Sequence, residues 1–386
     1  MILSNSIELT FPTRVIYGLD SVNRIGDICK DITDKIFIVT NGTLTRKIGL
    51  LQKVESLLEN SDVDYILYDD IKRDMHPDSI DEIGTLINQS RVKLILAVGS
   101  SSAINTAKAA AYIAKNEGKI IEYINGRIGK NEAVKLVTIP TIPGVLEALN
   151  DSFVVKDYND KRKKFFNSSS LFPVVTILDP KITLTIPINY TVGSGFAILS
   201  NAIESYISKA SNAISDALAL RAIEFIGKNL KAVFLAKNDL EARSNIMMSY
   251  ILTSLSLLTS KLGVCEAMAL ALSSRDNIYQ NIAHAIMLPY VMEFNLTAVP
   301  NKYLHIARAL GENITNITVV EAAIKAIEGV RKLLFDLKVP QKLSDFKVKK
   351  ENLSVIASSA QQYPFVNYSS TTISKEDIYN ILTTAY

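Results

Sequence analysis

The first half of the chain alternates short apolar runs with amphipathic segments, and this alternation limits the fold more than any other feature. Four runs are rich in Ile, Val and Leu: Lys35–Thr40, Val63–Asp69, Lys93–Gly99 and Lys135–Thr141. Segments with helical spacing of apolar residues, such as Thr45–Ser61, separate these runs. Strands that alternate with helices predict a parallel sheet covered by helices on both faces.

The segment Ser152–Asn167 has a different pattern. Two apolar runs flank Asn159 and Asp160, which are residues that favour tight turns, and this arrangement predicts a β-hairpin. The run Val174–Pro180 then predicts one further strand.

After Pro187 the apolar residues follow helical spacing almost throughout. Predicted helices include Gly193–Ala210, Ser215–Phe234, Glu241–Leu258 and Val319–Leu337. Near the C-terminus, Ser374 followed by Asp377 predicts a capping box that begins the last helix. The sequence therefore predicts an α/β nucleotide-binding-type domain over residues 1–187 and an all-helical domain over residues 188–386.

Composition excludes several classes of protein. The 386 residues carry 42 Lys and Arg against 39 Asp and Glu, a balance that lacks the basic field nucleic-acid binding requires. No apolar run reaches the ~18 residues of a membrane span, and the segment MILSNSIELTF lacks the pattern of a signal peptide. Cys29 and Cys265 lie far apart, which predicts reduced, buried thiols. We expect a cytoplasmic protein that binds neither nucleic acid nor membrane.

The stretch Val98–Lys108, VGSSSAINTAK, lies between a predicted strand and a predicted helix, where nucleotide-binding proteins place a phosphate loop. The hydroxyls of Ser100, Ser101 and Ser102 and the amides at the helix start could hold a phosphate. Alternatively the stretch is only a strand-to-helix turn, with Ser101 or Ser102 as the N-cap. The residues themselves leave both interpretations open.

Several motifs occur in an order typical of one known family. They are Pro12–Gly26, Leu96–Lys108, Val137–Gly144, Ile177–Pro187, Gly193–Ser208 and Ala283–Asn295. Together they resemble the iron-containing (group III) alcohol dehydrogenase family. That resemblance implies a Rossmann-like N-terminal domain and a helical C-terminal domain, the dehydroquinate synthase-like fold, with a cofactor and metal cleft between them.

Active members of that family hold a divalent metal with one Asp and three His. The resemblance places these four ligands at Ala197, Asn201, Leu270 and Gln280, none of which is Asp or His. Aliphatic and amide side chains are poor ligands for a transition metal, so we expect neither iron nor zinc. His284, four residues after Gln280, is either a substitute ligand or a histidine that makes a single hydrogen bond. We favour the second interpretation because metal ligands occur in clusters.

The resemblance also identifies candidate cofactor-binding residues, which are Asn41, Gly99, Ser100, Ser101, Ser102, Lys108, Thr138 and Thr141. Asn41 stands where NAD-preferring members have Asp, so the 2′-phosphate of NADP would not be repelled. Ser100 and Ser101 replace glycines and crowd the approach of a pyrophosphate, and Pro143 lacks an amide donor. We expect NADP or NAD to bind, but weakly.

Three functions stay open at this point. The first is a catalytically silent member of the family, a pseudoenzyme that serves as a scaffold or regulatory partner. The second is a metal-independent NAD(P)H-dependent alcohol or aldehyde oxidoreductase in which Tyr279 or His284 supplies the acid. The third is a phosphate or nucleotide binder that uses Gly99–Ser102 and Lys108. Family analogy adds a homodimer, or pairing with an active relative, to the expected partners.

Overall fold

The structure is a computed structural model that describes residues 6–276 and 278–386. Contacts divide it into two units: Pro12–Pro187, and Ile188–Tyr386 together with the described residues before Pro12. Residues 6–11 belong to the second unit and not, as predicted, to the first, and residues 1–5 of the predicted first domain lie outside the described residues.

The first unit is built on a parallel sheet of six strands in the order β1-β8-β5-β4-β2-β3. The strand bounds are β1 Arg14–Tyr17, β2 Lys35–Thr40, β3 Asp64–Tyr68, β4 Leu94–Gly99, β5 Lys135–Pro140, β6 Ser152–Asp157, β7 Arg162–Asn167 and β8 Val175–Leu178. All five pairings within this sheet are parallel, as predicted from the alternation of strands and helices. Strands β6 and β7 form the predicted antiparallel hairpin.

Helices cover both faces of the sheet. The helices of this unit are α1 Ile25–Lys30, α2 Gly42–Lys47, α3 Leu50–Glu59, α4 Pro77–Ser90, α5 Ser101–Ile113 and α6 Ile120–Ile124. Alternate residues of β2 belong to different apolar clusters, because successive side chains of a strand point to opposite faces. Ile36 and Ile38 belong to the cluster that contains α1 and α3 residues, whereas Phe37 and Val39 belong to the cluster of α4, α5 and α6.

The segment Thr45–Ser61 is two helices and not the single helix that its apolar spacing predicts. Helix α2 ends at Lys47 and α3 begins at Leu50. Gly49, between them, has a φ of 71°, a conformation that glycine adopts at little cost and that interrupts a right-handed helix. Apolar spacing continues across this break because Ile48, just after α2, packs against the same apolar cluster as Leu50 and Leu51 of α3.

The second unit is helical. Its helices are α7 Ile188–Ile207, α8 Ala213–Leu235, α9 Leu240–Ser256, α10 Val264–Arg275, α11 Gln280–Asn295, α12 Pro300–Ala309, α13 Val319–Asp336, α14 Leu353–Gln361 and α15 Lys375–Thr384. The predicted capping box is present at α15, where the Ser374 hydroxyl accepts from the Asp377 amide at 3.2 Å and the Asp377 carboxylate accepts from the Ser374 amide at 2.8 Å. Among the described residues, no helix is both long and apolar enough to cross a membrane.

Candidate functional site

The connections of the sheet locate a crevice between β2 and β4. Strand β2 leads through α2 and α3 to β3 on one side, whereas β4 leads through α5 to β5 on the other. Helices α3 and α5 consequently pack on opposite faces of the sheet. In open α/β sheets, ligands bind in the crevice at such a reversal, outside the carboxyl ends of the strands.

Asn41 lies across this crevice. It follows β2, and its Oδ1 accepts hydrogen bonds from the Ser100 amide at 3.0 Å and the Ser100 hydroxyl at 2.7 Å, just beyond β4. Its Nδ2 donates to the carbonyl oxygen of Ile71 at 3.1 Å. Both polar atoms of the Asn41 side chain, Oδ1 and Nδ2, therefore have hydrogen-bond partners within the protein.

Gly99 is required by the geometry of the loop. Its φ is 148°, and a Cβ atom there would lie 2.7 Å from Asn41 Oδ1 and 2.9 Å from Ala103 Cβ. The carbonyl oxygen of Gly99 accepts from the Thr141 amide at 3.0 Å. The structure thus brings Asn41, Gly99, Ser100 and Thr141 together at the carboxyl ends of β2, β4 and β5.

The start of α5 differs in detail from the expectation. Ser100 is the N-cap, not Ser101 or Ser102, and its hydroxyl makes no capping bond because it donates to Asn41. Ser101 is exposed, and its hydroxyl accepts from Asn105 Nδ2 at 2.9 Å. Asn105, in turn, accepts from the Val154 amide at 2.5 Å, so that it connects the loop to the hairpin. Ser102 is half-buried in the first turn of the helix.

Lys108 and Thr138, both predicted to bind cofactor, lie in the interior. Lys108 is fully buried, and its Nζ donates to the carbonyl oxygens of Asn150 at 2.6 Å and Ser152 at 2.9 Å. Burial lowers the pKa of Lys108 to about 7. The Thr138 hydroxyl bonds Ala148 O and Thr176 Oγ1. In this structure both side chains therefore hold the segment before the hairpin against the sheet.

A second group of polar residues is buried in the helical unit, where α7, α10 and α11 meet. Glu204 on α7 accepts from the amides of Cys265 at 2.7 Å and Glu266 at 3.1 Å, so its carboxylate caps the N-terminus of α10. Gly263 permits this approach, since a Cβ atom there would lie 2.6 Å from Glu204 Oε1. Burial raises the pKa of Glu204 to about 7, against the opposing effects of the Cys265 amide and His284.

His284 has partners on both ring nitrogens, so the prediction of a single hydrogen bond is wrong. Its Nε2 lies 2.8 Å from Glu266 Oε2, and its Nδ1 lies 3.1 Å from Ser200 Oγ. Gln280 Nε2 donates to Glu266 Oε1 at 3.0 Å. We call Ser200, Glu204, Glu266, Gln280 and His284 the buried network. Ser200 and His284 are at most 1% exposed, so this Ser–His–Glu arrangement cannot reach a substrate as a hydrolase triad does.

Three members of this network, Ser200, Glu204 and Glu266, were not among the residues predicted from the sequence. Helical spacing could have identified them. Ser200 lies three residues after Ala197, and Glu266 lies four residues before Leu270, so each falls within one helical turn of a position where the resemblance places a metal ligand. Tyr279, the other suggested acid, is 53% exposed and precedes α11 instead of lying within it.

The four positions aligned with metal ligands lie on α7, α10 and α11. Ala197 and Leu270 are buried and offer no donor atom. Asn201 is also buried, and its Oδ1 has no hydrogen-bond partner among the described residues. No group of three or more His, Cys, Asp and Glu that could hold a metal occurs within residues 6–276 and 278–386.

Comparison with known proteins decides the family. A model described as iron-containing alcohol dehydrogenase matches residues 12–180, and one described as Fe-containing alcohol dehydrogenase family, C-terminal, matches residues 191–386. The chain belongs to the iron-containing alcohol dehydrogenase family. This membership confirms the resemblance inferred from the sequence motifs.

Individual relatives match almost the whole chain. The 1,3-propanediol dehydrogenase of Klebsiella pneumoniae is 27% identical over 351 residues, which cover 90% of this chain and 91% of that protein. The choline dehydrogenase of Bacillus subtilis (strain 168) is 28% identical over 359 residues, which cover 92% and 88%. A solved 1,3-propanediol oxidoreductase has a TM-score of 0.94 at 26% identity and covers 99% of this chain and 100% of its own. These matches confirm the predicted fold.

These comparisons correct the expectation about cofactors. The prediction that neither iron nor zinc is expected is wrong, because the chain belongs to a family described as iron-containing over both of its units. The four aligned residues nevertheless do not form a donor set of the usual kind, since only Asn201 offers an unpartnered atom. These four side chains therefore do not fit a transition metal, which prefers carboxylate, imidazole or thiolate ligands.

Proposed function

We propose that this member of the iron-containing alcohol dehydrogenase family binds a pyrophosphate-containing nucleotide of the NAD(P) type at the crevice between β2 and β4, and that its alcohol chemistry is altered or silent. The observation that carries the proposal is the position of Gly99 and Ser100. They stand at the reversal of strand order and at the start of α5, a helix of 13 residues whose positive end favours a phosphate. Among relatives, the methanol dehydrogenase of Bacillus methanolicus is NAD-dependent.

Altered chemistry is supported by the helical unit. Metal-assisted oxidation needs an ion that polarises the oxygen of the alcohol or carbonyl group. At two of the four aligned positions, Ala197 and Leu270, the side chain is aliphatic and buried. The nearby polar side chains of Glu266 and His284 are bonded to each other at 2.8 Å. His284 could act as the acid of a metal-independent reaction only if it reached the substrate, and its side chain, 1% exposed, does not.

The test combines binding and turnover on the full chain. Calorimetry with NADH and NADPH measures binding. Oxidation of primary alcohols and diols, and reduction of aldehydes, are then assayed anaerobically with added Fe(II), beside an active 1,3-propanediol dehydrogenase. We expect binding, with turnover about 10³-fold below that of the relative, the size of a lost polarising interaction. Turnover within tenfold of the relative refutes altered chemistry, and absence of heat with both nucleotides refutes the nucleotide site.

A scaffold or regulatory role requires a partner, and we propose a second copy of this chain or an active relative, by family analogy alone. Sedimentation of the purified chain, alone and mixed with an active relative, tests this proposal. A monomer under both conditions contradicts it.

A further inference from the structure

The positive charge of the chain is concentrated in one stretch of the helical unit. Residues 331–350 contain seven Lys and Arg against two Asp, a net charge of +5, whereas the whole chain carries +3. Six of these cations are exposed lysines, Lys332, Lys338, Lys342, Lys347, Lys349 and Lys350. The balanced total charge of the chain does not show this local excess.

The protein itself neutralises little of this charge. The ion pairs of this stretch are Arg331 with Glu293 at 2.7 Å and Asp336 with Lys231 at 2.6 Å. The six lysines form no ion pair with any residue in the described ranges. Cations that the chain leaves unpaired attract anions from outside it.

Two large apolar side chains protrude within the same region. Phe335, near the end of α13, is 76% exposed, and Leu235, the last residue of α8, is 73% exposed. The two helix ends lie side by side, because Lys231 of α8 bonds to Asp336 of α13 at 2.6 Å. Leu235 follows Lys231 by one turn on the same face of α8. Side chains as exposed as these project from the surface and do not line a groove.

Lysines flank both apolar side chains. Lys332 and Lys338 lie three residues before and after Phe335, and Lys237 lies two residues after Leu235. All three lysines are exposed. We call Leu235, Lys237, Lys332, Phe335 and Lys338 the basic apolar surface.

An anionic lipid surface matches both properties of the basic apolar surface. Apolar side chains enter the boundary between headgroups and acyl chains, while lysines meet the anionic headgroups. A nucleic acid offers phosphates but no apolar layer for Phe335 and Leu235. An amphipathic helix of a partner protein binds in an apolar groove, whereas these two side chains protrude.

We propose that the basic apolar surface attaches the chain reversibly to bilayers that contain anionic phospholipids. The expectation of no membrane binding rests on the lack of a spanning run, which does not bear on attachment at the level of the headgroups. The lysines supply the attraction, and Phe335 and Leu235 supply the apolar contact.

The experiment measures co-sedimentation of the full chain with vesicles of phosphatidylcholine mixed with phosphatidylglycerol, and with vesicles of phosphatidylcholine alone. We expect binding to the mixed vesicles only. Added salt should weaken it, because the attraction between exposed charges is screened beyond about 10 Å at 0.1 M ionic strength.

Two substitutions test the two properties separately. Phe335→Ser combined with Leu235→Ser should lower vesicle affinity at least about tenfold, because the apolar contact is lost. Val320→Ser, at a 55% exposed position in the first turn of α13, is the matched control and should leave the affinity unchanged. Lys338→Glu should lower it at least about fivefold, the contribution of one lysine near an anionic surface. Lys93→Glu, at an exposed position of the first unit, changes the total charge equally and should have little effect.

Several outcomes overturn the proposal. One is the absence of wild-type binding to the mixed vesicles at low salt. Another is an affinity that the double serine variant leaves unchanged, or that Lys338→Glu and Lys93→Glu lower equally, because binding then depends on total charge alone. A wild-type dimer that the double serine variant loses, without vesicle binding, would make this surface an interface between two copies. Binding to single-stranded RNA that Lys338→Glu weakens, again without vesicle binding, would assign the lysines to nucleic acid.

Discussion

The crevice and the buried network are both polar, but they are built in opposite ways. At the crevice the contacts are made by main-chain groups, hydroxyls and the neutral amide of Asn41, and Ser100 and Ser101 keep contact with solvent. In the network two carboxylates and an imidazole are sealed between helices, each bonded to a neighbour. Neutral contacts at an exposed edge can be exchanged for a ligand, whereas buried charges must stay paired because isolation is costly.

The largest expected effect comes from breaking the buried network. His284→Ala leaves the Glu266 carboxylate buried without its 2.8 Å partner, which should lower the free energy of unfolding by about 4 kcal/mol. Urea denaturation measures this loss. Glu293→Ala is the matched control, because the Arg331–Glu293 pair is partly exposed and should contribute at most about 1 kcal/mol. Equal losses for the two variants would remove the distinction between sealed and exposed charges.

The pH dependence of stability should reflect the titration of the Glu204 carboxyl group. Its pKa is raised from 4.5 to about 7 in the folded protein, so the folded state binds the proton more strongly than the unfolded state. This contribution to stability is fully present below pH 4.5 and is lost as the pH rises through about 7, by about 3 kcal/mol. Urea denaturation from pH 4.5 to 7.5 should show a flatter dependence for Glu204→Gln than for wild type. Parallel curves for the two proteins would contradict this assignment.

Gly99→Ala should lower the free energy of unfolding by more than backbone strain alone would, because the added Cβ would also contact Asn41. Gly18 is the matched control: its φ is 147°, against 148° for Gly99, but a Cβ atom at Gly18 has no neighbour within 4 Å. We expect Gly18→Ala to cost about 1 kcal/mol of unfolding free energy, and Gly99→Ala about 2 kcal/mol, because its Cβ would also displace Asn41. Identical losses in urea denaturation would mean that the Asn41 contact is not close in solution.

The smallest effect is expected at Gln280, a neutral member of the buried network. Gln280 donates to Glu266 at 3.0 Å, and Gln280→Ala removes one hydrogen bond while the His284–Glu266 pair persists. The expected loss in unfolding free energy is about 1 kcal/mol, well below that of His284→Ala. A loss as large as that of His284→Ala would show that the amide, and not charge pairing, dominates the network.

Local sequence patterns predicted the elements of this fold well where apolar spacing was uninterrupted. The predicted strand Lys35–Thr40 has the same first and last residues as β2. The hairpin turn lies between β6 and β7, as Asn159 and Asp160 indicated. The prediction failed at Gly49, because apolar spacing reports which face packs on the sheet and not whether the helix is continuous.

By itself, the sequence determined the parallel sheet, the helical second half and the family, since these depend on periodicity and on motifs that occur in order along the chain. Only the tertiary structure decided the partners of polar side chains. Asn41 and Ser100 are 59 residues apart, and Ser200 and His284 are 84 apart, yet each pair is bonded. Lys108 likewise faces Asn150 and not the crevice. A hydrogen bond forms only when donor and acceptor lie about 3 Å apart. The positions of two residues along the sequence do not give that distance, which is set only when the helices and strands pack together.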